Sequence, residues 1–424
     1  IHPVLRQYAQ EKLNNEPDVL RATRDRHAAF YVAFLEEYEA IDETSAADVL
    51  VDIAIEVENC RTAWQWSVRH NRMQWARRAF PVLGIYYRLH GPFQEGSRVI
   101  LAAVEELEQR ARGRQIEDDD QQQFLCDLFA LLAELYNRQA AYTDAVDAAL
   151  RTINLSTDQQ EVGACVKGHL AAAQGYRYQG DYEKAQCHAE QALRLASEHE
   201  MKTAFADSLM VLGTVRLYES KYDSANEALT EALSIYRELG SDQNQSRVLN
   251  VLGNLCLYQG DYSGAQHYYV QAHQRFQRVG DRQGQAQVLN NLGAVHFHLG
   301  SFHEALDSYH QALNIEQETG GMHGISLLYS NLSLLYQQLN DYEAGLRYGQ
   351  SAELIAQELG ARDNQAFALL CIGHARVGQQ QWLEAKQAYR HAARLRTALG
   401  QDNQALEPQA GLIRVAIAED VDDS

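Results

Sequence analysis

Proline is nearly absent from this chain: five occur in 424 residues, and none lies between Phe93 and Glu407. Nothing in that long span forbids helix. Basic residues are in deficit, with 37 Lys and Arg against 57 Asp and Glu and a formal net charge of −20. That balance argues against a phosphate backbone, and so nucleic acid, as a direct partner. The six cysteines form no Cys-x-x-Cys pair and show no zinc-knuckle spacing; they read as buried free thiols of a reducing cytoplasm. No apolar run reaches membrane-spanning length, Ala79 to Tyr87 being the longest greasy stretch, so a soluble chain with no membrane partner is expected. There is no signal peptide, and the chain starts at Ile1-His2-Pro3 without an initiator Met, which reads as a segment of something longer. Phosphate-cradling Gly-x-x-x-x-Gly-Lys-Ser/Thr, Gly-x-Gly-x-x-Gly, Gly-x-Ser-x-Gly and His-Glu-x-x-His motifs are all missing, so no enzyme and no cofactor are expected in this segment.

What is present is a period. Tyr142, Tyr182, Tyr222, Tyr262, Phe302, Tyr342 and Trp382 follow one another at 40 residues, each with Ala, or Gly345, three positions on. Nine residues ahead of each aromatic stands a small residue: Ala133, Ala173, Gly213, Gly253, Gly293, Ser333 and Gly373. Aromatics make up 9% of the chain, so seven in register are structure, and a tandem array is expected. Within one unit, Val248, Leu249, Val251, Leu252, Leu255 and Leu257 follow a helical pattern. Gly260 then stops that helix and Asp261 caps the next. Gly240, Gly280, Gly320, Gly360 and Gly400 repeat the stop between units, and Ser301-x-x-Glu304 reads as a capping box. Each repeat is a helical hairpin whose small residues let two backbones approach.

This order of small, aromatic and small residues resembles the tetratricopeptide repeat, whose glycine, tyrosine and alanine positions fall on Gly253, Tyr262, Ala265 and Ala272. The common unit is about 34 residues and ends in proline; this one is longer and proline-free, as in the long-helix variants of kinesin light chains and bacterial regulators. The resemblance implies an all-α, right-handed α-solenoid superhelix. Gly84, Phe93 and Gly96 keep the same offsets upstream, giving an eighth hairpin.

The N-terminal part carries a second resemblance. Ile1-His2-Pro3-Val4-Leu5-Arg6-x-Tyr8-Ala9-x-Glu11-Lys12-Leu13 is similar to the last helix of the winged-helix element that follows the ATPase core in signal-transduction ATPases with numerous domains (STAND), relatives of the NB-ARC and apoptosome proteins. Glu56-x-Glu58-Asn59-x-Arg61-x-Ala63-Trp64-x-Trp66 resembles the helical segment that opens their sensor region. The resemblance implies a ligand sensor whose partner is an upstream ATPase core of the same chain, with ATP or ADP bound only there, and whose ligand relieves autoinhibition. The alternative is a standing scaffold without a switch. The expected divisions are 1–15, the end of a winged-helix-like element; 16–73, a helical adaptor; 74–111, a first hairpin; 112–123, an acidic loop; 124–402, seven hairpins; 403–418, a capping helix; and 419–424, a disordered tail.

If the family geometry holds, first helices line a concave face that binds a protein, a peptide or a small ligand. The offsets nominate Asn137, Arg138, Lys167, Arg177, Arg247, Asn250, Asn254 and Asn290 for it. Asn250 and Asn254 lie four apart on one helix face, where each amide donates to and accepts from a peptide backbone; solvated amides that merely keep the groove polar fit equally. Tyr178, Tyr218, Tyr258 and His298 form a ladder one repeat apart, either as interface anchors or as seals of the turn between helices. Lys167, Arg177 and Arg247 favour an acidic or carboxylate ligand, diluted by Asp127, Glu134 and Asp207. His296, His298, His303 and His310 straddle one turn, but His296 stands where other repeats place Tyr136, Tyr176 and Tyr336, so packing rather than metal is expected. Glu117 to Asp120 lacks calcium-loop spacing.

Overall fold

A computed structural model describes residues 15–38, 46–89, 93–112, 119–139, 141–158, 161–399 and 401–422. Among them are nineteen α-helices and no strand. Pro17–Glu36 and Ala46–Arg69 precede eight consecutive hairpins. These pair Met73–Leu89 with Phe93–Arg112, Asp119–Arg138 with Tyr142–Asp158, Val162–Tyr178 with Tyr182–Glu198, and Lys202–Tyr218 with Tyr222–Glu238. The remaining four pair Asp242–Tyr258 with Tyr262–Val279, Arg282–His298 with Phe302–Thr319, Met322–Gln338 with Tyr342–Glu358, and Arg362–Gly378 with Trp382–Ala398; Asp402–Asp422 closes the stack. The architecture is an α-solenoid of tetratricopeptide-type hairpins.

The small residues do what their spacing requires. A Cβ on Gly253, Gly293 or Gly373 would run into the ring of Tyr269, Tyr309 or Tyr389, sixteen residues on in the partner helix. Those rings are 2% exposed or less, and large buried aromatics dominate core energetics. At Ser333 the hydroxyl instead donates to the Gly345 carbonyl at 2.6 Å. The 40-residue aromatics open the second helices and meet the following hairpin: Tyr142 stacks on Tyr178 at 4.6 Å and Tyr262 on His298 at 5.1 Å.

The N-terminal motif acts as a clasp. Trp64 is buried and its Nε1 donates to the Ala76 carbonyl at 3.0 Å, while Trp66 Nε1 donates to Asp25 at 3.0 Å. Arg61 pairs with Glu58 and Glu95, and Glu56 accepts from Tyr31 and Asn59. The two leading helices are thereby fastened to hairpin one. The winged-helix motif itself, Ile1 to Leu13, lies outside the described residues.

Several expectations need correction. Asp119–Gln123, assigned to the acidic loop, already form the first turns of a helix, where acidic side chains favour the N-terminal partial charge; residues 113–118 lie outside the described set. The last helix runs through 419–422, assigned to the tail, because a helix seated by buried Val415 against Leu370 and Tyr389 gains a hydrogen bond with each added residue. Ser301 occupies an N-cap but makes no side-chain capping bond. Asp181, Asp261, Asp281 and Asp341 do cap, each accepting from the N–H three residues on. Cys60, Cys126 and Cys371 are buried, but Cys187 is exposed and Cys165 and Cys256 are half-buried. No described helix is long and apolar enough to cross a membrane.

The inner turns require a left-handed residue. Gly180, Gly260 and Gly300 supply it, whereas Ser220, Asn340 and Gln380 take the same place with φ near 60°, a conformation that costs an L-residue about 1 kcal/mol. Ser220→Gly and Gln380→Gly are therefore expected to stabilise the array by about 0.5–1 kcal/mol each after the entropic cost of glycine. A thermal midpoint that falls in both variants would contradict this.

Candidate functional site

The stack curves far enough to meet itself. Arg138 of hairpin two donates to Gln283 of hairpin six at 2.9 Å across the hollow, and the Leu399 carbonyl, beyond hairpin eight, lies against Gly180. Ala46–Arg69 also touches Tyr262–Val279. The Arg138–Gln283 contact borders a cavity of about 1070 Å³ walled by the hairpins, at the upper end of ordinary ligand pockets.

Ten of the twelve nominated residues line it: Asn137, Arg138, Lys167, Arg177, Tyr178, Tyr218, Arg247, Asn250, Asn254 and Asn290. Tyr258 and His298 do not. Tyr258 leans edge-on against Tyr218 at 6.0 Å and is 55% exposed, and His298 stacks on Tyr262. The ladder follows the twist of the solenoid, so its later rungs leave the hollow. His296 is half-buried, within hydrogen-bonding distance of Gln266 and Ser308.

The amides join neighbouring repeats. Asn291 Nδ2 donates to Oδ1 of Asn250 at 3.1 Å and of Asn254 at 3.2 Å, and Asn254 Oδ1 also accepts from Tyr269. Asn331 donates to Asn290 at 2.7 Å, and Asn137 donates to the Ala171 carbonyl at 3.1 Å. Thus the Oδ1 atoms of Asn250 and Asn254 are occupied, while neither Nδ2 meets a protein acceptor among the described residues. Both amides retain donors for a ligand.

Charge is concentrated in the middle of the hollow. The Arg177 guanidinium lies 3.8 Å from the Tyr178 ring centroid and 4.9 Å from that of Tyr218, a cation–π arrangement. Burial works against the Arg177 charge, yet Tyr178 and Tyr218 outweigh it and leave its pKa raised. The Arg177 charge in turn holds Tyr178 below the usual phenol range, against burial and with help from Arg138 and Arg247. Three arginines therefore act on one hydroxyl. Asp281 is pushed up by burial, opposed by Arg138, the Gly284 N–H and Arg247. Lys167 is exposed and acts on Asp127, whose burial raises its pKa.

Residues 205–278 and 284–358 match the tetratricopeptide repeat family model. No curated protein matches the chain. Among solved structures, the chain is similar in fold to a Rap protein complexed with Competence and Sporulation Factor, at 14% identity and TM-score 0.60 over 89% of this chain and 99% of the other. A Rap conjugation gene regulator of plasmid pLS20, solved with the Phr* peptide, gives 12% identity and TM-score 0.56 over 80% and 96%. A STAND protein with a tetratricopeptide repeat sensor from Pyrococcus horikoshii gives 15% identity and TM-score 0.51 over 93% and 66%. At these identities the likeness is one of fold.

One lining residue of this tetratricopeptide hollow was not nominated. Glu316 stands where the two preceding repeats place Tyr236 and Phe276, both buried. It is 5% exposed, its Oε2 has no hydrogen-bond partner, and burial pushes its carboxyl up to about 7. An acid where the two preceding repeats carry aromatics was the signal available in the sequence. Folding holds its proton more tightly than the unfolded chain does, so this contribution to stability is full below about pH 4.5 and is lost as pH rises through about 7. Between pH 5 and 8 the loss amounts to roughly 2–3 kcal/mol. Glu316→Gln and Glu316→Leu are expected to flatten that part of the stability profile and to exceed the parent in stability at pH 8. Thermal unfolding at the two pH values checks it, and an unchanged pH slope in both variants would refute it.

Proposed function

We propose that this chain is a non-enzymatic, cytoplasmic ligand-sensing module of a STAND-type signalling ATPase, capturing a peptide or small effector in its concave hollow. The observation that carries the reading is the hollow itself: a cavity walled by successive hairpins, with three arginines and two donor amides directed at one enclosed volume. A low-dielectric enclosure strengthens each of those interactions. The fold likeness to a Rap regulator solved with the Phr* peptide supports a peptide as ligand, and the likeness to a STAND sensor, with the two N-terminal motifs, supports the upstream ATPase as partner.

Switching needs a ligand that binds one curvature better than another. The Arg138–Gln283 bond is the element such a ligand would bias, because it joins two hairpins 145 residues apart across the space the ligand would enter. Binding that replaces this bond changes the pitch of the array. A scaffold without a switch would bind with no such change.

The test uses a pool of random pentapeptides, with retained members sequenced after equilibration with the protein. Asn250→Asp and Asn254→Asp together keep the Oδ acceptors that join repeats and remove the Nδ2 donors. We expect capture by the parent and about tenfold weaker capture by the double variant. Equal capture would remove the amides from the site, and no capture by the parent would sink the peptide reading. Small-angle scattering at saturation separates sensor from scaffold: an unchanged curve would favour the scaffold.

A further inference from the structure

At one place in the second helices the 40-residue register runs Ser156, Ala196, Tyr236, Phe276, Glu316, Ala356 and Arg396; of its two charged members Arg396 is paired with Asp363, whereas the Glu316 carboxyl has no partner among the described residues. In hairpin five the equivalent residue, Phe276, lies against Gly284, where an added Cβ would come within 2.5 Å of the ring. In hairpin six the same geometry recurs one repeat later, with the Glu316 carboxyl against Gly324 and Gly321, and any side chain at either glycine would collide with it. The backbone is shaped around a large side chain, and the sequence puts an acid there.

That acid has nothing in the protein to satisfy it. Asp281 and Asp207 line the same hollow, but Asp281 accepts from the Gly284 N–H at 2.8 Å and Asp207 from the Tyr236 hydroxyl at 2.5 Å. The Glu316 carboxyl makes no hydrogen bond and no ion pair among the described residues, its buried Oε2 is unsatisfied, and burial alone perturbs it. The nearest basic side chain in sequence beyond the preceding hairpin turn, Arg282, is paired with Glu318. His323, in the next turn of chain, is held neutral chiefly by burial, and Asp363 acts on it rather than on Glu316. A buried carboxyl without a partner is a costly feature, tolerated where something else supplies the missing charge.

The setting suits one kind of group. Glu316 lies at the N-terminus of Met322–Gln338, where the helix favours the ionised carboxylate. Met322, Leu327, Leu328 and Leu359 line the same end of the cavity, apolar surface that fits the methylenes of a basic side chain. No three His, Cys, Asp or Glu residues gather as a metal site among the described residues, so a single carboxyl points to an organic cation.

We propose that Glu316 is the cation subsite of the hollow, holding an ammonium or guanidinium group of the ligand. It rests on the reading of the hollow as a capture site, and it makes the ligand dipolar: its basic group lies against Glu316 and its acidic group against Arg138, Arg177 and Arg247. The carboxyl binds as carboxylate, so capture of the cation releases a proton.

The probes are ethylguanidinium and its neutral near-isostere N-ethylurea, titrated into the intact chain at constant ionic strength. With a carboxyl near 7, the ionised fraction rises from about a tenth at pH 6 to about nine-tenths at pH 8. Ethylguanidinium is therefore expected to bind about tenfold more tightly at pH 8, and N-ethylurea at least tenfold more weakly than the cation. Glu316→Gln and the apolar Glu316→Leu, whose folding is checked by thermal unfolding, should both lose the cation and its pH dependence. Equal binding of the two probes, undiminished binding by Glu316→Gln, or no saturable binding by the parent at pH 8 would overturn the proposal. Pentapeptide capture that persists unchanged in Glu316→Gln would leave the hollow as a capture site and remove this subsite. Cation binding without pentapeptide capture would keep the subsite and remove the peptide.

Discussion

The structure depends on how closely two helices of one hairpin approach. A glycine with no Cβ faces a tyrosine ring sixteen residues later at Gly253 and Tyr269, at Gly293 and Tyr309, and at Gly373 and Tyr389. The contact fixes the interaxial distance, because a methyl group in its place would force the ring aside in a closely packed core. In these three repeats it also buries a large aromatic, which a two-helix unit alone could not do. Each hairpin then presents a defined flank to the next, and a small rotation between equal units accumulates into curvature. The hollow is a consequence of that repetition.

Curvature turns sequence-distant residues into neighbours and gives the inner face two tasks at once. Asn250, Asn254 and Asn290 hold adjacent repeats through their Oδ1 atoms, and the Nδ2 groups of Asn250 and Asn254 remain for whatever enters. One side chain thus serves both the stability of the array and its surface chemistry. The same enclosure explains the electrostatics: Arg177 keeps contact with water yet is surrounded by protein, so its tyrosine neighbours act on it far more strongly than they would on an open surface. In a chain with a net charge of −20, curvature gathers Arg138, Arg177 and Arg247 from three hairpins, with Asp207, Glu134 and Asp281 acting on Arg247 in the same hollow.

What could be read from the sequence follows the same division. Offsets from the small residue located ten cavity-lining residues because one repeat geometry governs them all. The tyrosine ladder failed at Tyr258 and His298 because equal offsets describe equal places in a repeat, whereas the repeats themselves rotate away from the cavity. The Arg138–Gln283 bond was invisible for another reason: it is set by the total turn summed over four hairpins, which no local pattern encodes. Ser301 shows the limit of a motif, since the residue types of a capping box were present and the side-chain bond was not made. The helical start at Asp119 is the converse case, in which acidic residues chosen for a loop are equally suited to a first helical turn.

Glu316 stands between these cases. Its position is fixed by the repeat, and its chemistry violates the repeat, so both the rule and the exception are written in the sequence. An aromatic there, as in the two preceding repeats at Tyr236 and Phe276, would gain the burial energy that the carboxyl forgoes. In the proposed arrangement a buried acid against two glycines and the arginines of the same cavity set opposite charges apart along its wall. Such a field discriminates by orientation as well as by charge, because a dipolar ligand reversed end for end would set like against like. Selectivity then comes from the places where hairpins differ, held in position by the contacts in which they are alike.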